Sequence, residues 1–366
     1  MLTSRRQVAL VCCGDVMTGR GVDQILAHPG DPALREPLVK DARVYVGLAE
    51  EINGAIPRPV DPWWLWGDAL AVIEATRPDL RLINLETSIT ISDDFAPGKA
   101  VHYRMHPANI GCLTVARPDI CTLANNHILD FGVRGLRETL TTLASAGITA
   151  VGAGLNSWEA AHPATVRAAN GTRMTVLGLA MLSSGVPQSW ASTLDRPGIN
   201  LQSTTAIART VAGIREAKAA SDIVVVSVHW GSNWGYEIPP DQIRLAHELV
   251  DAGADFIHGH SSHHPRPAEV YRGRLILYGC GDFITDYEGI GGHHEYREDL
   301  RLLYLPVFEA TGEFAAMTIV VLQARQMRLD RAGARDLRWT QSTLDRISRP
   351  LGARIRHGQD GTLDCR

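Results

Sequence analysis

The sequence predicts an α/β protein in which two mixed sheets pack together with helices outside, as one domain over residues 1–366. Three observations carry that expectation. Short apolar runs alternate with helix-length segments through much of the chain, as crossovers between parallel buried strands require. Later runs follow one another through tight turns, as antiparallel strands do. No shift in composition marks a linker.

The elements follow in order. The run Val8-Ala9-Leu10-Val11-Cys12-Cys13 reads as a first buried strand, and Gly14 and the glycines after it let the chain turn and leave Asp15 at the strand tip. Residues 28–66 form an insertion rich in proline, in which Trp63, Trp64 and Trp66 are expected to staple the segment to the body. A helix near 68–76 leads through Arg77-Pro78-Asp79 to a strand at 80–83 that ends in Asn84-Leu85-Glu86. A second helix near 108–116 leads through Arg117-Pro118-Asp119 to a strand at 120–124 that ends in Asn125-Asn126-His127. A third strand at 223–228 ends in His229-Trp230-Gly231. The fourth, a short strand at 255–257, stops at His258-Gly259-His260-Ser261-Ser262-His263-His264. Hairpins are expected around Asn170-Gly171 and Arg272-Gly273, the latter leading to Asp282. Antiparallel runs near 300–310 and 315–324 and a helix near 341–349 precede a charged tail, with a C-terminal extension beginning after about 325.

Any one of these strand tips reads as a polar turn or a helix cap. Several parallel strands ending in carboxylate, amide or imidazole at one sheet edge converge on a crevice, where α/β proteins build their sites. Those ligand types suit a hard or borderline divalent ion, Ca, Mn, Mg or Zn. Four of the fourteen histidines stand between 258 and 264, which marks that junction as part of the centre.

The bulk numbers exclude several classes. A net charge of -4 gives no basic footprint for nucleic acid. No segment reaches the ~20 apolar residues of a membrane span. The six cysteines include no Cys-x-x-Cys pair, so no zinc knuckle is indicated. Residues 1–6 run straight into the first strand without a cleavage site, which leads to the expectation of a cytoplasmic protein.

The motifs Gly14-Asp15, Asn84-Leu85-Glu86, Asn125-Asn126-His127, His229-Trp230-Gly231, Gly259-His260-Ser261-Ser262-His263 and Gly281-Asp282-Phe283 resemble the CapA family. That group, linked to poly-gamma-glutamate capsule synthesis, lies within the calcineurin-like metallophosphatase superfamily. The resemblance implies a four-layer α/β/β/α sandwich with metal at strand carboxyl ends. It implies Asp15, Glu86, Asn126, His229, His260 and His263 as ligands, with His127 as the acid/base histidine. The pattern departs from the superfamily in three places. Met17 stands where Asp-x-His would place a histidine, Glu86 replaces a bridging aspartate, and the last motif is lengthened to Gly259-His260-Ser261-Ser262-His263. CapA proteins usually carry an N-terminal membrane anchor, and a branch without one, which includes lasso-peptide epimerases, looks closer.

Two chemistries compete for these residues. Phosphoester or polyglutamate hydrolysis needs an activated water and an acid for the leaving group. Cα epimerisation of a peptide needs a base on one face and an acid on the other, each with a carboxylate partner. Epimerisation near the C-terminus of a peptide substrate is the expected activity, with hydrolysis the alternative and a silent metal-binding protein third. His127, His260, Asp15 and Asp282 are the expected catalytic groups. Arg104, Trp230, His258 and His264 are expected to hold the peptide, Arg104 through its terminal carboxylate. The glycine-bearing stretch at 285–294 has the composition of a lid.

Overall fold

A computed structural model of the chain describes residues 7–203 and 207–366; the expectation placed on residues 1–6 lies outside them. The first strand, Gln7–Val16, is buried on both faces. A strand of that kind belongs inside a covered sheet. It runs parallel to Leu80–Leu85 and antiparallel to Leu300–Glu309. The parallel part continues through Ile120–Thr122 to Thr149–Val151, within a sheet of ten strands. In a second sheet of seven, Arg173–Met181, Ile223–His229, Phe256–His260 and Arg274–Leu277 run parallel. The two expected hairpins close its sides, Ala164–Arg167 on Arg173–Met181 and Ala268–Tyr271 on Arg274–Leu277.

Leu10, Leu82 and Ile120 of the first sheet pack against Val176, Val225 and Phe256 of the second. Each such side chain contributes ~1.5–3 kcal/mol when fully buried. The outer face of the first sheet is covered by Val46 of the helix Arg43–Asn53 and Leu136 and Leu143 of Gly132–Ser145. Ile214 of Ala208–Ala220 and Leu249 of Pro240–Asp251 cover the second. The layers are therefore α/β/β/α, as the sequence predicts.

Three local expectations change. The helix near 108–116 shrinks to Gly111–Thr114 after a single tight turn, Pro107–Asn109. The charged tail forms two strands, Ile355–His357 and Leu363–Cys365, that join the first sheet beside Phe314–Arg325. Ile355, Leu363 and Cys365 are buried there, so a few apolar positions anchor an otherwise polar segment. The short strand at 255–257 does not stop before the histidines: it pairs with Ile223–His229 as far as His260. The tryptophans do act as a staple, with Trp66 Nε1 donating to the Cys112 carbonyl at 2.7 Å and Trp64 Nε1 to that of Gln326 at 3.0 Å. Among the described residues no helix is long and apolar enough to cross a membrane.

Candidate metal centre

The site lies between the sheets at the carboxyl ends of their parallel strands. In the second sheet Ser227 stands beside His258 and His229 beside His260 in register. Side chains alternate along a strand. These four therefore turn to the same face as Val225 and Phe256, which belong to the inter-sheet core. In the first sheet Cys12 pairs with Leu82 but Asp15 with Asn84, so one extra residue bulges from the first strand. The bulge returns Asp15 to the face that Cys12 occupies, as bulges beside active sites do. Gly14 permits it: a Cβ there would stand 1.7 Å from the Gly281 carbonyl oxygen. Gly14→Ala is expected to cost ~3 kcal/mol or more, at or above the upper end of overpacking penalties, read as a lower urea midpoint. An unchanged midpoint would mean that the bulge relaxes.

Asp15, His229 and His260 each offer a ligand atom within 4.8 Å of one another. His229 Nδ1 lies 2.8 Å from His260 Nδ1, and His229 Nε2 lies 2.9 Å from Asn126 Oδ1. Glu86 Oε2 stands 3.9 Å from His229 Nδ1, and Asn84 Nδ2 bridges Asp15 and Glu86 at 2.7 and 3.0 Å. Asp282, in register with Asp15, leaves Oδ2 buried and without a partner. Burial, then the Asp282 charge, push the Asp15 carboxyl up to about 7, and burial, then Asp15, raise Glu86. Buried carboxylates that repel one another, facing imidazole nitrogens, fit a divalent cation. Asp15, Glu86, His229 and His260 would hold it, with Asn126 alongside.

A direct test follows from that repulsion. Asp15→Asn removes one buried charge and one donor. Chelated protein is expected to melt no lower than chelated wild type. The rise on adding metal, ~2.7 kcal/mol at a hundred times the dissociation constant for wild type, is expected to disappear. A full metal-induced rise in the variant, followed by calorimetry, would take Asp15 out of the ligand set.

Two histidine–carboxylate pairs flank this donor set, one histidine coming from each sheet. His127 Nδ1 lies 2.6 Å from Asp130 Oδ2, and its Nε2 lies 3.9 Å from Glu86 Oε1. Burial pushes the His127 imidazole down to about 4 despite Asp130. His263 Nδ1 lies 2.9 Å from Asp282 Oδ1. Burial opposes the His263 cation, yet Asp282 outweighs it and holds the group above its ordinary range. Both histidines line a cavity of about 480 Å³ with Glu86, Asn126, Lys99 and Trp234.

Several expected roles change. His263 is tied to Asp282 and, through Nε2, to Asn233 at 3.1 Å, outside the group formed by Asp15, His229 and His260. Neither Asp15 nor His260, both expected to be catalytic, lines the cavity; both belong to the group that could hold the ion. Asp282 does pair with a histidine of the cluster, whereas the partner of His127 is Asp130 instead of Asp15. None of the four residues expected to hold the peptide lines that cavity. Arg104 donates to the carbonyls of Ser92 and Asp31 at 2.7 and 2.9 Å. Trp230 is buried on Tyr278 and donates to its carbonyl at 2.9 Å. His258 is held between Ser227 and the Cys13 carbonyl, at 3.0 and 2.8 Å. His264 stacks on Trp234 and Tyr296. The reading of strand ends missed Lys99, which contacts Asp130 and the Asn126 carbonyl. No motif surrounds it. The segment at 285–294 supplies Tyr287, Ile290, Gly291 and His293 to the cavity wall.

Fold and donor set together define an α/β sandwich with a buried His/Asp cluster between its sheets that could hold a metal ion. The chain belongs to the family described as bacterial capsule synthesis protein PGA_cap, whose model matches residues 9–287. It is 52% identical to a probable polyglutamine synthesis accessory protein of Mycobacterium tuberculosis (strain ATCC 25618 / H37Rv), over 98% of this chain and 95% of that one. The PGA biosynthesis protein CapA of Bacillus subtilis (strain 168) is 31% identical, over 66% of this chain and 61% of its own length. Among solved structures, a 5'-nucleotidase precursor from Thermus thermophilus aligns with 94% of this chain and 59% of its own, at 14% identity and a TM-score of 0.40. The relatives' names speak of capsule and polyglutamine synthesis rather than of lasso peptides.

Proposed function

We propose that this protein is a metal-dependent acid/base enzyme that hydrolyses an amide bond in a glutamyl polymer. The observation that carries it is the pair of dyads, His127–Asp130 and His263–Asp282, whose histidines line one cavity beside a metal donor set. The relatives' names, polyglutamine synthesis and PGA biosynthesis, support the substrate class. A bound divalent ion would supply charge stabilisation and a more acidic water. His127 takes a proton from water as its oxygen bonds to the amide carbon. The carbon–nitrogen bond breaks, and a histidine returns the proton to the departing amine. Asp130 and Asp282 hold the two rings in place.

The same two dyads favour a second reading, epimerisation at a peptide Cα. There one histidine removes the Cα proton and the other delivers a proton to the opposite face. One experiment separates the two. Metal-loaded protein is incubated with a γ-glutamyl oligomer in deuterated water, and the products are followed by mass spectrometry. Shortened chains without deuterium at Cα are the expected result. Uncut chains with deuterium at Cα would replace hydrolysis by epimerisation. Neither change, at full metal loading, would leave a metal-binding accessory protein without turnover.

A further inference from the structure

Beside the catalytic cavity lies a second one of about 390 Å³. The two share Tyr287, Ile290, Gly291 and Glu298, so one stretch of chain forms the wall between them. Arg301 lines the second cavity and is only 2% exposed. A buried guanidinium ordinarily meets a carboxylate, because an unpaired charge is costly away from water. Arg301 meets none among the described residues. It donates to the Glu298 carbonyl and, at 3.1 Å, to the Thr285 hydroxyl, while its Nε is buried with no partner.

The acids around it are already engaged, with one exception. Glu288 accepts from the Gln326 and Met327 amides and from Asn53. Asp299 accepts from Arg297 and Gln323. Glu298 has His294 3.3 Å from Oε1, but its Oε2 is buried and unpartnered. Two residues that line the cavity therefore each carry a buried polar atom without a partner, Arg301 its Nε and Glu298 its Oε2. A ligand that satisfies both carries a carboxylate and an N–H, as an amino-acid unit does.

We propose that Arg301 anchors a substrate carboxylate, the second cavity holding the glutamyl unit next to the amide that is processed. Arg301 takes that unit's carboxylate and Glu298 takes its N–H. This rests on the polyglutamate reading above for its choice of ligand, and it gives Arg301 the part that the sequence suggested for Arg104.

The test is calorimetric titration of the metal-loaded full chain with γ-glutamylglutamate, its fully amidated counterpart and free glutamate. The amidated compound is expected to bind at least about ten-fold more weakly than the dipeptide, since the charge-assisted hydrogen bond to Arg301 is lost, and free glutamate equally so, since it leaves the adjoining cavity unfilled. Arg301→Lys, which keeps the charge but loses the fork, is expected to weaken the dipeptide by a similar factor. Ile52→Glu places a negative charge on an exposed residue of the cavity lining and tests the same point without disturbing the core. Its circular dichroism should match wild type while dipeptide affinity falls. Equal binding of acid and amide, or dipeptide affinity indifferent to both variants, would overturn the assignment. Free glutamate binding as tightly as the dipeptide would overturn the polymer unit as occupant. The expected binding pattern without turnover of any oligomer removes the enzymatic reading and leaves this subsite standing; turnover with binding indifferent to Arg301 and Ile52 removes the subsite alone.

Discussion

Replacing His127 by asparagine is expected to lower turnover by ~10²–10⁴-fold, the usual contribution of a positioned acid or base, while metal content stays at the wild-type level. The geometry gives the reason. Asp130 accepts from the Tyr103 amide at 2.7 Å and from Lys99, which fixes the carboxylate facing His127 Nδ1. A proton on Nδ1, donated to Asp130 at 2.6 Å, leaves the lone pair on Nε2, which lies 3.9 Å from Glu86 Oε1. Tyr103 packs edge-on against the ring with centroids 4.5 Å apart, which limits its rotation. Asparagine keeps a polar group but cannot carry the proton. Asp130→Asn tests the positioning role separately: it should lower turnover less and displace the pH–rate profile. Turnover of the His127 variant within ten-fold of wild type would remove the residue from the chemistry. Loss of metal in parallel with activity would make it a ligand instead.

Much of the fold was legible because its cause is periodic. Helix, Arg-Pro-Asp and a short apolar run recur, and parallel strands buried on both faces produce that pattern. For the same reason the sequence alone names Asp15, Glu86, Asn126 and His229 as strand-end groups. Where each side chain points was less legible, because it depends on partners distant in sequence. His258 and His264 look equivalent to His260 and His263 in the cluster. Their separation comes from pairing with Ile223–His229 out to His260, followed by a turn at Ser261 with φ 105°. The face taken by Asp15 rests on one bulged residue that a count of apolar positions passes over. Arg104 is consumed by two carbonyls from separate loops, and Arg301 meets no carboxylate among the described residues. Neither circumstance leaves a mark in the local sequence.

Arg20→Met is expected to destabilise the protein by ~3–5 kcal/mol, the range for removing one partner from a buried ion pair. Arg20 is 5% exposed and binds Asp286 through two nitrogens, at 3.1 and 2.6 Å. A third reaches Glu36 at 3.0 Å. Its guanidinium also lies 3.9 Å from the ring centroid of Tyr45 and 4.6 Å from that of Tyr103, contacts that methionine would fill only in part. What remains is a fully buried Asp286 whose charge has lost its counterpart. Asp286 still accepts from the Gly21 amide at 2.9 Å, which softens the loss without offsetting it. Pairing Arg20→Met with Asp286→Asn should recover a substantial part of the lost stability, because the stranded charge is then gone. Urea denaturation of both variants measures this. A single-variant loss below about 1 kcal/mol, typical of exposed pairs, would show that water reaches the cluster. Because Arg20 joins the segment after Asp286 to the insertion that carries Glu36 and Tyr45, its removal should also loosen the wall formed by Tyr287. The same variant should therefore raise KM in the oligomer assay more than it lowers kcat, as expected for a residue that shapes the cavity and carries no proton.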